Sequence, residues 1–364
     1  MSASAAAPAS ASDFAHCVTQ WQHQHGRHDL PWQGTRDPYR RWLSEVMLQQ
    51  TQVSTVQPYY ARFLARFPDV RSLAAAPLDD VLAAWSGLGY YSRARNLHRC
   101  AQAVVQTHGG SFPRSSAELV KLPGIGRSTA AAIAAFCFDE RAAILDGNVK
   151  RVLTRVLGFD GDLAIAAQER ALWQEAEQLL PLHDMAGYTQ GLMDLGATLC
   201  LARAPRCAQC PVARQCVARA QGQPQRYPVK TRKLKRHQRA HALLWLMQGE
   251  RSWLVQRPAT GVWAGLWSLP EWADVPALLA DTSAWPGRCE RLPEVLHVLT
   301  HVDWLLSPVR QVLPARIGAA HRHAINTALS TRGAGRWVTR DEALQLGLAA
   351  PIRRWMQALD GSAG

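Results

Sequence analysis

The chain lacks the sequence features that would place it in or across a membrane. None of its 364 residues belongs to an apolar run near the roughly 18 residues that a membrane-spanning helix needs. The N-terminal segment MSASAAAPASAS has neither a basic region nor a long apolar region, so it does not resemble a secretory signal. We therefore predict a disordered tail over residues 1–12 and a cytoplasmic location.

Acidic residues are scarce relative to basic ones. There are 28 Asp and Glu against 41 Lys and Arg, which gives a formal net charge of +13. Such an excess of positive charge indicates a polyanionic partner, most often nucleic acid. A chain of this length with 48% hydrophobic residues is long enough for two domains with sizeable cores.

The cysteines lack the second C-x2-C pair that is usual in structural zinc sites. Four of the eight cysteines follow C-x6-C-x2-C-x5-C, namely Cys200, Cys207, Cys210 and Cys216. A zinc ion and a [4Fe–4S] cluster both accept four cysteines, but one pair flanked by two uneven spacers favours the cluster. Disulfides are the alternative and are typical of small secreted domains. The other four cysteines are scattered, as in a reducing cytoplasm.

Apolar residues recur at helical spacing from about residue 13 to 220. The periodicity predicts helices over 51–67, 148–157 and 165–180. Residues 226–239 then contain seven Lys or Arg, among them Arg232 and Lys233, and no acid, which predicts a basic linker over 221–239.

The period changes after the linker. Short apolar runs at 241–247 and 253–257 surround a Gly249–Glu250 turn, and 295–306 is again typical of a strand. Thr339 and Glu342 form a capping-box pattern, and Pro351 is placed to open a last helix. A small α+β domain is therefore predicted over 240–364.

Gly124 and Gly126 lie between predicted helices at 115–120 and 128–138. Their spacing allows a tight turn whose backbone N–H groups face a phosphate oxygen at the start of the second helix. The segment predicts a helix–hairpin–helix, which binds the DNA backbone without reading its sequence. An ordinary turn between two helices that requires glycine is the alternative.

The hairpin followed by the four-cysteine loop resembles the endonuclease III-like DNA glycosylases. Within that superfamily, three segments resemble the MutY-type adenine DNA glycosylases: LSEVMLQQTQV at 43–53, GLGYYSRARNL at 87–97 and ILDGNVKR at 144–151. The resemblance is dense over residues 14–220 and loose over 240–360. It implies an all-α helix–hairpin–helix glycosylase domain over 13–220, with two helical subdomains and a cluster loop at 200–216, followed by a Nudix-like α+β domain.

The implied reaction needs two carboxylates, because a leaving purine must be protonated while an oxocarbenium-like sugar develops. Glu45 lies in an apolar stretch, where burial should raise its pKa, and the resemblance implies that it is the acid. From the residues alone it could be a glutamate on a helix surface. Asp146 precedes a predicted helix and could cap it. The resemblance makes Asp146 the carboxylate that stabilises, or transiently bonds to, the anomeric carbon, and both roles are compatible.

Ser128 stands where bifunctional relatives carry a Schiff-base lysine. A serine cannot form an imine, so we expect a monofunctional enzyme that leaves an abasic site. The base must be flipped out of the duplex before it reaches the acid. By resemblance, Gln50 and Tyr90 intercalate or wedge beside the orphaned partner base. Family positions near the adenine pocket are matched by Arg27, Trp32 and Gln190.

The C-terminal part lacks the acidic Nudix box. Residues 261–270 resemble the loop and strand of a Nudix-like domain, but the acids between 271 and 290 are only Glu271, Asp274, Asp281 and Glu290. Pyrophosphatase activity is therefore not expected. The family reads 8-oxoguanine through a Phe-Ser-His loop, and this chain has Leu299-Thr300-His301 there. Thr300 and His301 keep the hydroxyl and the imidazole, whereas Leu299 departs from the pattern.

These patterns together predict a monomeric adenine DNA glycosylase of this family. Its expected substrate is double-stranded DNA that contains adenine mispaired with 8-oxoguanine or guanine, and its expected location is the bacterial cytoplasm, at the nucleoid. Two alternatives stay open at this point. One is a thymine- or pyrimidine-directed glycosylase on the same scaffold, and the other is a non-catalytic iron–sulfur protein that binds DNA.

Overall fold

The computed structural model describes residues 11–231 and 235–358. These divide into two compact units, one formed by residues 11–74 and 99–231 and the other by residues 75–98 and 235–358. Residues 1–10 of the tail predicted over 1–12, and the linker residues Arg232 and Lys233, lie outside the described residues. No helix among the described residues has the length and apolar character needed to cross a bilayer.

The part of the chain before the linker is helical, as predicted. In chain order its helices are α1 (Ala11–His25), α2 (Pro38–Leu48), α3 (Val53–Arg66), α4 (Val70–Ala75), α5 (Leu78–Ala84), α6 (Ser92–His108), α7 (Ser116–Leu119), α8 (Arg127–Phe138), α9 (Gly147–Leu157), α10 (Ala166–Gln178), α11 (Met185–Thr198) and α12 (Val217–Ala220). The predicted helices over 51–67, 148–157 and 165–180 correspond to α3, α9 and α10. Helix α1 begins at Ala11, inside the tail predicted over 1–12.

Helix α2 shows how the local sequence sets the position of the site. Asp37 caps its N-terminus by accepting a hydrogen bond from the Tyr39 N–H at 2.9 Å, and Pro38 occupies the first helical position. One face then buries Trp42, Leu43 and Met47 completely. The cap and the buried face together fix how α2 is oriented within the first unit.

The second unit contains an eight-stranded sheet with helices, so the predicted α+β domain is confirmed. Its strands are β1 (His237–Gln248), β2 (Arg251–Gln256), β3 (Trp267–Ser268), β4 (Glu271–Trp272), β5 (Arg288–Arg291), β6 (Val295–Val298), β7 (Val302–Leu313) and β8 (Gly335–Thr339). Strands β1 and β7 pair in parallel, from His237 opposite Val302 to Gln248 opposite Leu313. The order β3–β2–β1–β7–β5 forms the body of the sheet, and β4, β6 and β8 pair with β1, β7 and β2.

Four helices accompany the sheet: α13 (Val275–Thr282), α14 (Ala319–Ser330), α15 (Arg340–Leu344) and α16 (Ala350–Ala358). Thr339 and Glu342 form the predicted capping box at α15, and Pro351 lies in the first turn of α16. The core of this unit includes Leu244 and Leu246 from β1, Trp272 from β4, and Ile325 and Leu329 from α14.

The segment predicted as one strand over 295–306 is instead two strands, β6 and β7. The chain reverses between them, where the Leu299 N–H donates to the Val302 carbonyl at 2.8 Å. Apolar residues continue on both sides of this turn, so the sequence pattern does not mark it. The reversal places Thr300 and His301 at an exposed turn.

Residues 75–98, which the sequence analysis placed in the N-terminal domain, pack with the second unit. The hydroxyl groups of Ser86 and Tyr91 donate to the Leu348 carbonyl at 3.4 and 3.1 Å. Arg95 donates to the Ala264 carbonyl at 2.7 Å. Helix α5 and the start of α6 therefore belong to the second unit.

Candidate active site

Glu45 lies near the end of α2, one turn after Arg41. It retains partial contact with solvent, but the surrounding protein removes enough water from its carboxyl group to change its acidity. Burial raises the pKa of Glu45 to about 7, the Arg41 guanidinium opposes this rise, and the negative charge of Asp146 adds to it. A carboxyl group with this pKa is partly protonated near neutral pH and can donate a proton there.

Asp146 lies directly before α9 and caps it. One of its carboxylate oxygens accepts hydrogen bonds from the Asn148 and Val149 N–H groups, at 2.8 and 2.7 Å. Its charge acts on Glu45, so the structure places the two sequence-predicted carboxylates within electrostatic reach of each other. The capping role expected from the sequence is present, and the carboxylate remains partly exposed.

Ser128 lies in the first turn of α8, directly after the hairpin turn. Its hydroxyl oxygen accepts a hydrogen bond from the Leu145 N–H at 3.1 Å, which places it beside the residue that precedes Asp146. In the turn, Gly124 has φ 76°, a left-handed conformation that glycine adopts without strain. Gly126 is exposed at the N-cap of α8, where a phosphate could approach the backbone closely.

The structure brings together two of the three residues predicted near the adenine pocket. Arg27 donates to the Asp194 carboxylate through its backbone N–H at 2.9 Å and its Nε at 2.7 Å, and Gln190 donates to the same carboxylate at 2.8 Å. Asp194 is fully buried and was not predicted from the sequence. Trp32 is buried elsewhere in this unit and packs edge-to-face on Tyr60, with ring centroids 5.4 Å apart.

Gln50 follows α2 and is exposed, with φ 58°. A residue other than glycine rarely adopts this left-handed conformation, and such conformations cluster at functional sites. The conformation directs the chain away from the end of the helix that carries Glu45. Its exposure is compatible with the predicted contact with the partner base.

Tyr90 and Thr300 meet in the second unit. Tyr90 is 44% exposed and also has a positive φ of 48°, and its hydroxyl group shares a hydrogen bond of 3.1 Å with the Thr300 hydroxyl. Both residues are predicted from the sequence as contacts of the partner base, but their contact with each other is not. His301 is exposed beside them, and its carbonyl accepts from the His237 N–H at 3.0 Å.

The four predicted ligand cysteines line one pocket. Its lining also includes apolar side chains such as Val152, Leu195 and Val212 together with Arg155, and the cysteines that face it are Cys200, Cys207, Cys210 and Cys216. Burial raises the pKa of Cys210 to about 12, and the other three sulfurs add to this rise, so the thiols lie close enough to interact. Over residues 11–231 and 235–358, no three or more His, Cys, Asp or Glu side chains form a group that could hold a single metal ion.

Two arginines that are not predicted from the sequence, the buried Arg155 and the half-buried Arg151, hold the cysteine loop. Arg155 is 2% exposed and donates to the Cys200 sulfur at 3.4 Å and to the Leu201 and Ala202 carbonyls at 2.7 and 3.0 Å. Arg151 donates to the Cys200 carbonyl at 2.7 Å. A four-cysteine pocket with cationic donors beside a sulfur fits a group that carries negative charge on its thiolates.

The four carboxylates that stand in place of a Nudix box have other partners. Glu271 pairs with Arg257 at 2.5 Å and Glu290 pairs with Arg310 at 2.8 Å. Asp274 caps α13 through the Ala277 N–H. Asp281 accepts from the Trp272 indole at 2.8 Å and pairs with Arg332 at 3.0 Å.

Comparisons with known proteins agree with the geometry. Residues 43–178 match the family model of the HhH-GPD superfamily base excision DNA repair proteins, and residues 241–358 match the NUDIX domain model. Over most of its length this chain is similar to adenine DNA glycosylases. The protein of that name from Buchnera aphidicola subsp. Acyrthosiphon pisum is 36% identical over 304 residues, which are 83% of this chain and 87% of the relative.

The human adenine DNA glycosylase is 31% identical over an alignment of 415 positions, gaps included, that covers 96% of this chain and 74% of the human protein. Among solved structures, a thermostable thymine-DNA glycosylase is similar to 58% of this chain and 97% of its own, with 28% identity and a TM-score of 0.52. The two comparisons share the helical scaffold and differ in the base that the relative's name specifies. The adenine DNA glycosylases are 36% and 31% identical to this chain over most of its length and of their own, and this decides between the two kinds of relative. This chain belongs to the adenine DNA glycosylases, enzymes that hydrolyse N-glycosidic bonds in DNA.

Proposed function

We propose that this chain removes adenine from double-stranded DNA where adenine is mispaired with 8-oxoguanine or guanine. It hydrolyses the N-glycosidic bond, leaves an abasic site, and does not cut the strand. It acts as a monomer. The observation that carries the proposal is the pair of carboxylates in the first unit, Glu45 with a pKa raised by burial to about 7 and Asp146 within its electrostatic reach.

In this proposal the two carboxylates divide the chemistry between them. The protonated form of Glu45 donates to the adenine as the base leaves, because a neutral leaving base departs more readily than an anion. The Asp146 carboxylate, held by two backbone N–H groups at the start of α9, stabilises the positive charge that develops at the anomeric carbon. Water then completes the hydrolysis.

Ser128 supports the absence of strand cleavage. Its hydroxyl group is held by the Leu145 N–H beside Asp146, at the place where a lysine would have to attack the sugar to form an imine. A hydroxyl group cannot form that intermediate. The expected product is therefore an intact strand that carries an abasic site.

The contact between Tyr90 and Thr300 supports recognition of the partner base. Thr300 presents a hydroxyl group and His301 an imidazole at the exposed turn between β6 and β7, and both can form hydrogen bonds with the oxidised edge of 8-oxoguanine. Tyr90 presents an aromatic ring on which a base can stack. Gln50 is proposed to fill the space that the flipped adenine leaves.

The hairpin turn is proposed as the DNA backbone contact. The exposed Gly126 begins α8, so the first N–H groups of this helix can donate to a phosphate oxygen. The net charge of +13 adds a sequence-independent attraction to the duplex. Binding should therefore weaken steeply as the salt concentration rises.

The four cysteines are proposed to hold a [4Fe–4S] cluster with a structural role. All four line one pocket, and Arg155 donates to the sulfur of Cys200. Purified protein should be yellow-brown and contain about four iron atoms per chain, since one cluster holds four. A colourless protein with one zinc ion per chain would overturn this assignment.

A single-turnover assay on matched duplexes tests the proposed function. The panel contains adenine opposite 8-oxoguanine, adenine opposite guanine, thymine opposite guanine and an undamaged duplex. We expect release of adenine from the first two, with strand breaks only after alkali treatment. Release of thymine would favour the pyrimidine-directed alternative, and tight binding without any base release would favour a non-catalytic DNA-binding protein.

A further inference from the structure

We propose that Arg41 is a positioning residue for base release: its buried guanidinium group, one turn of α2 before Glu45, sets the upper pH limit of activity. This inference rests on the proposed role of Glu45 as the acid. Arg41 is not among the site residues that are predicted from the sequence. It is therefore an additional determinant of the reaction.

The geometry of α2 places the two side chains together. Residues four apart on a helix lie on the same face, so the Arg41 side chain neighbours that of Glu45. Arg41 is only 7% exposed. Its guanidinium group lies 4.1 Å from the ring centroid of Phe136 on α8, and its Nε lies 3.4 Å from the Thr35 carbonyl oxygen. The Arg41 side chain thus contacts both the segment before α2 and helix α8.

Arg41 forms no ion pair with any carboxylate in the described part of the chain. Buried arginines are ordinarily paired, because an uncompensated buried charge is costly. Burial lowers the pKa of Arg41, and the nearby charge of Glu45 opposes that change. Glu45 is therefore the carboxylate that compensates Arg41, through space rather than by direct contact.

The other groups near the pair leave Glu45 as the group that titrates in the working range. Asp146 from α9 adds negative charge and opposes the effect of Arg41. Burial raises the pKa of Cys137 on α8 and of Tyr60 on α3 to about 12, so both stay neutral near pH 7. The charge of Arg40 lowers the pKa of Tyr60, and that of Asp37 raises it.

The pH dependence of adenine release tests the inference. Glu45 must be protonated to act, so activity should fall as the pH rises through its pKa. Arg41→Met removes the charge but keeps an unbranched apolar side chain. We expect the falling limb to move to higher pH by about 1 unit, because a nearby opposite charge lowers a carboxyl pKa by roughly that amount or more. Arg41→Lys should restore the wild-type limb.

Arg40→Met is the matched control. Arg40 is the preceding residue on α2, its side chain is 51% exposed, and it pairs with Asp37 at 3.5 Å. The substitution removes the same charge from the exposed side of the helix, so its pH profile should follow the wild type. The proposal is overturned if the falling limb of the pH profile does not move in Arg41→Met. It is also overturned if the limb moves equally in Arg40→Met.

Infrared titration of the protein without DNA separates this inference from the proposed function. The C=O stretch of protonated Glu45 is obtained as the difference between each protein and its Glu45→Gln counterpart. The pH at which half of this band is lost should be higher in Arg41→Met than in wild type, even if the enzyme proves to act on another base. An unchanged midpoint would refute the role of Arg41. If the Met variant does not fold, Arg41→Gln gives the same comparison.

Discussion

Glu45 and Asp146 are both carboxylic acids, but their surroundings suit them to opposite tasks. Glu45 is surrounded by protein that disfavours its charged form, and its pKa rises to about 7. Asp146 instead receives two backbone N–H groups at the start of a helix. A pair of titratable groups in such different environments is the usual arrangement for an acid and a charge-stabilising partner.

Replacing Ser128 by lysine tests whether this position faces the sugar. The Ser128 hydroxyl lies beside the residue before Asp146, so a lysine amine there should reach the same region. Ser128→Lys is expected to give a covalent enzyme–DNA adduct after borohydride reduction, whereas wild type and Ser128→Ala give none. An adduct with wild-type protein would contradict the monofunctional assignment.

The sequence predicts Glu45 as a site residue because its neighbours Leu43, Val46 and Met47 are apolar and become buried. Arg41 and Asp194 are also buried, but a charged residue in a helical stretch is usually exposed, so the pattern gave no reason to select them. The spacing of four residues between Arg41 and Glu45 is the sequence pattern that could have identified Arg41. Asp194 had a weaker one, as an acid within the apolar run GLMDLG.

Helix α9 links the stability of the protein to the chemistry proposed for Asp146. Asp146 caps its N-terminus, and Gly158 ends it with φ 65°. A cap contributes about 0.5–2 kcal/mol to stability, and asparagine caps a helix about as well as aspartate does. The carboxylate charge can therefore be removed while the cap is kept.

Two substitutions at Asp146 separate these effects. Asp146→Asn should change the free energy of unfolding by a few tenths of a kcal/mol but slow adenine release strongly, because the amide carries no charge. Asp146→Ala should slow release as well and cost about 1 kcal/mol of stability. Denaturant unfolding and single-turnover rates measure both. An Asn variant with wild-type release would exclude an electrostatic role for Asp146.

Element types follow from the sequence more reliably than strand limits do. The helical period predicts α3, α9 and α10 because each buries one stripe of side chains. Strand β1 runs from His237, four residues before its apolar run starts, because its first part pairs with β7 while its side chains remain exposed. Backbone pairing of exposed residues leaves no hydrophobic pattern to detect.

The grouping of residues 75–98 with the second unit becomes visible only when the whole folded molecule is considered. Hydrogen bonds from Ser86, Tyr91 and Arg95 to carbonyls of residues 264 and 348 join parts of the chain that are more than 160 residues apart. Such pairing has no local signature. A chain cut near residue 225 would lose these partners, so point substitutions are the cleaner probes of the C-terminal unit.

Substitution of Thr300 tests partner recognition while it leaves the hydrogen bonds to the carbonyls of residues 264 and 348 in place. Thr300→Ala should lower the preference for adenine opposite 8-oxoguanine over adenine opposite guanine, because one hydrogen bond contributes about 0.5–1.5 kcal/mol. That corresponds to a loss of roughly twofold to tenfold. Thr300→Ser retains the hydroxyl group and should behave like wild type, with the same salt dependence in all three proteins. Unchanged preference in the alanine variant would place recognition at other residues, such as Gln50.

The most direct test of the whole account is the single-turnover rate of adenine release by Glu45→Gln on a duplex with adenine opposite 8-oxoguanine. Glutamine keeps the shape of the side chain but cannot donate the proton, so the rate near pH 7 should fall by about 10²–10⁴-fold. Affinity for the duplex and the visible absorption of the protein should stay close to wild type. A Glu45→Gln enzyme that releases adenine at the wild-type rate would contradict the account.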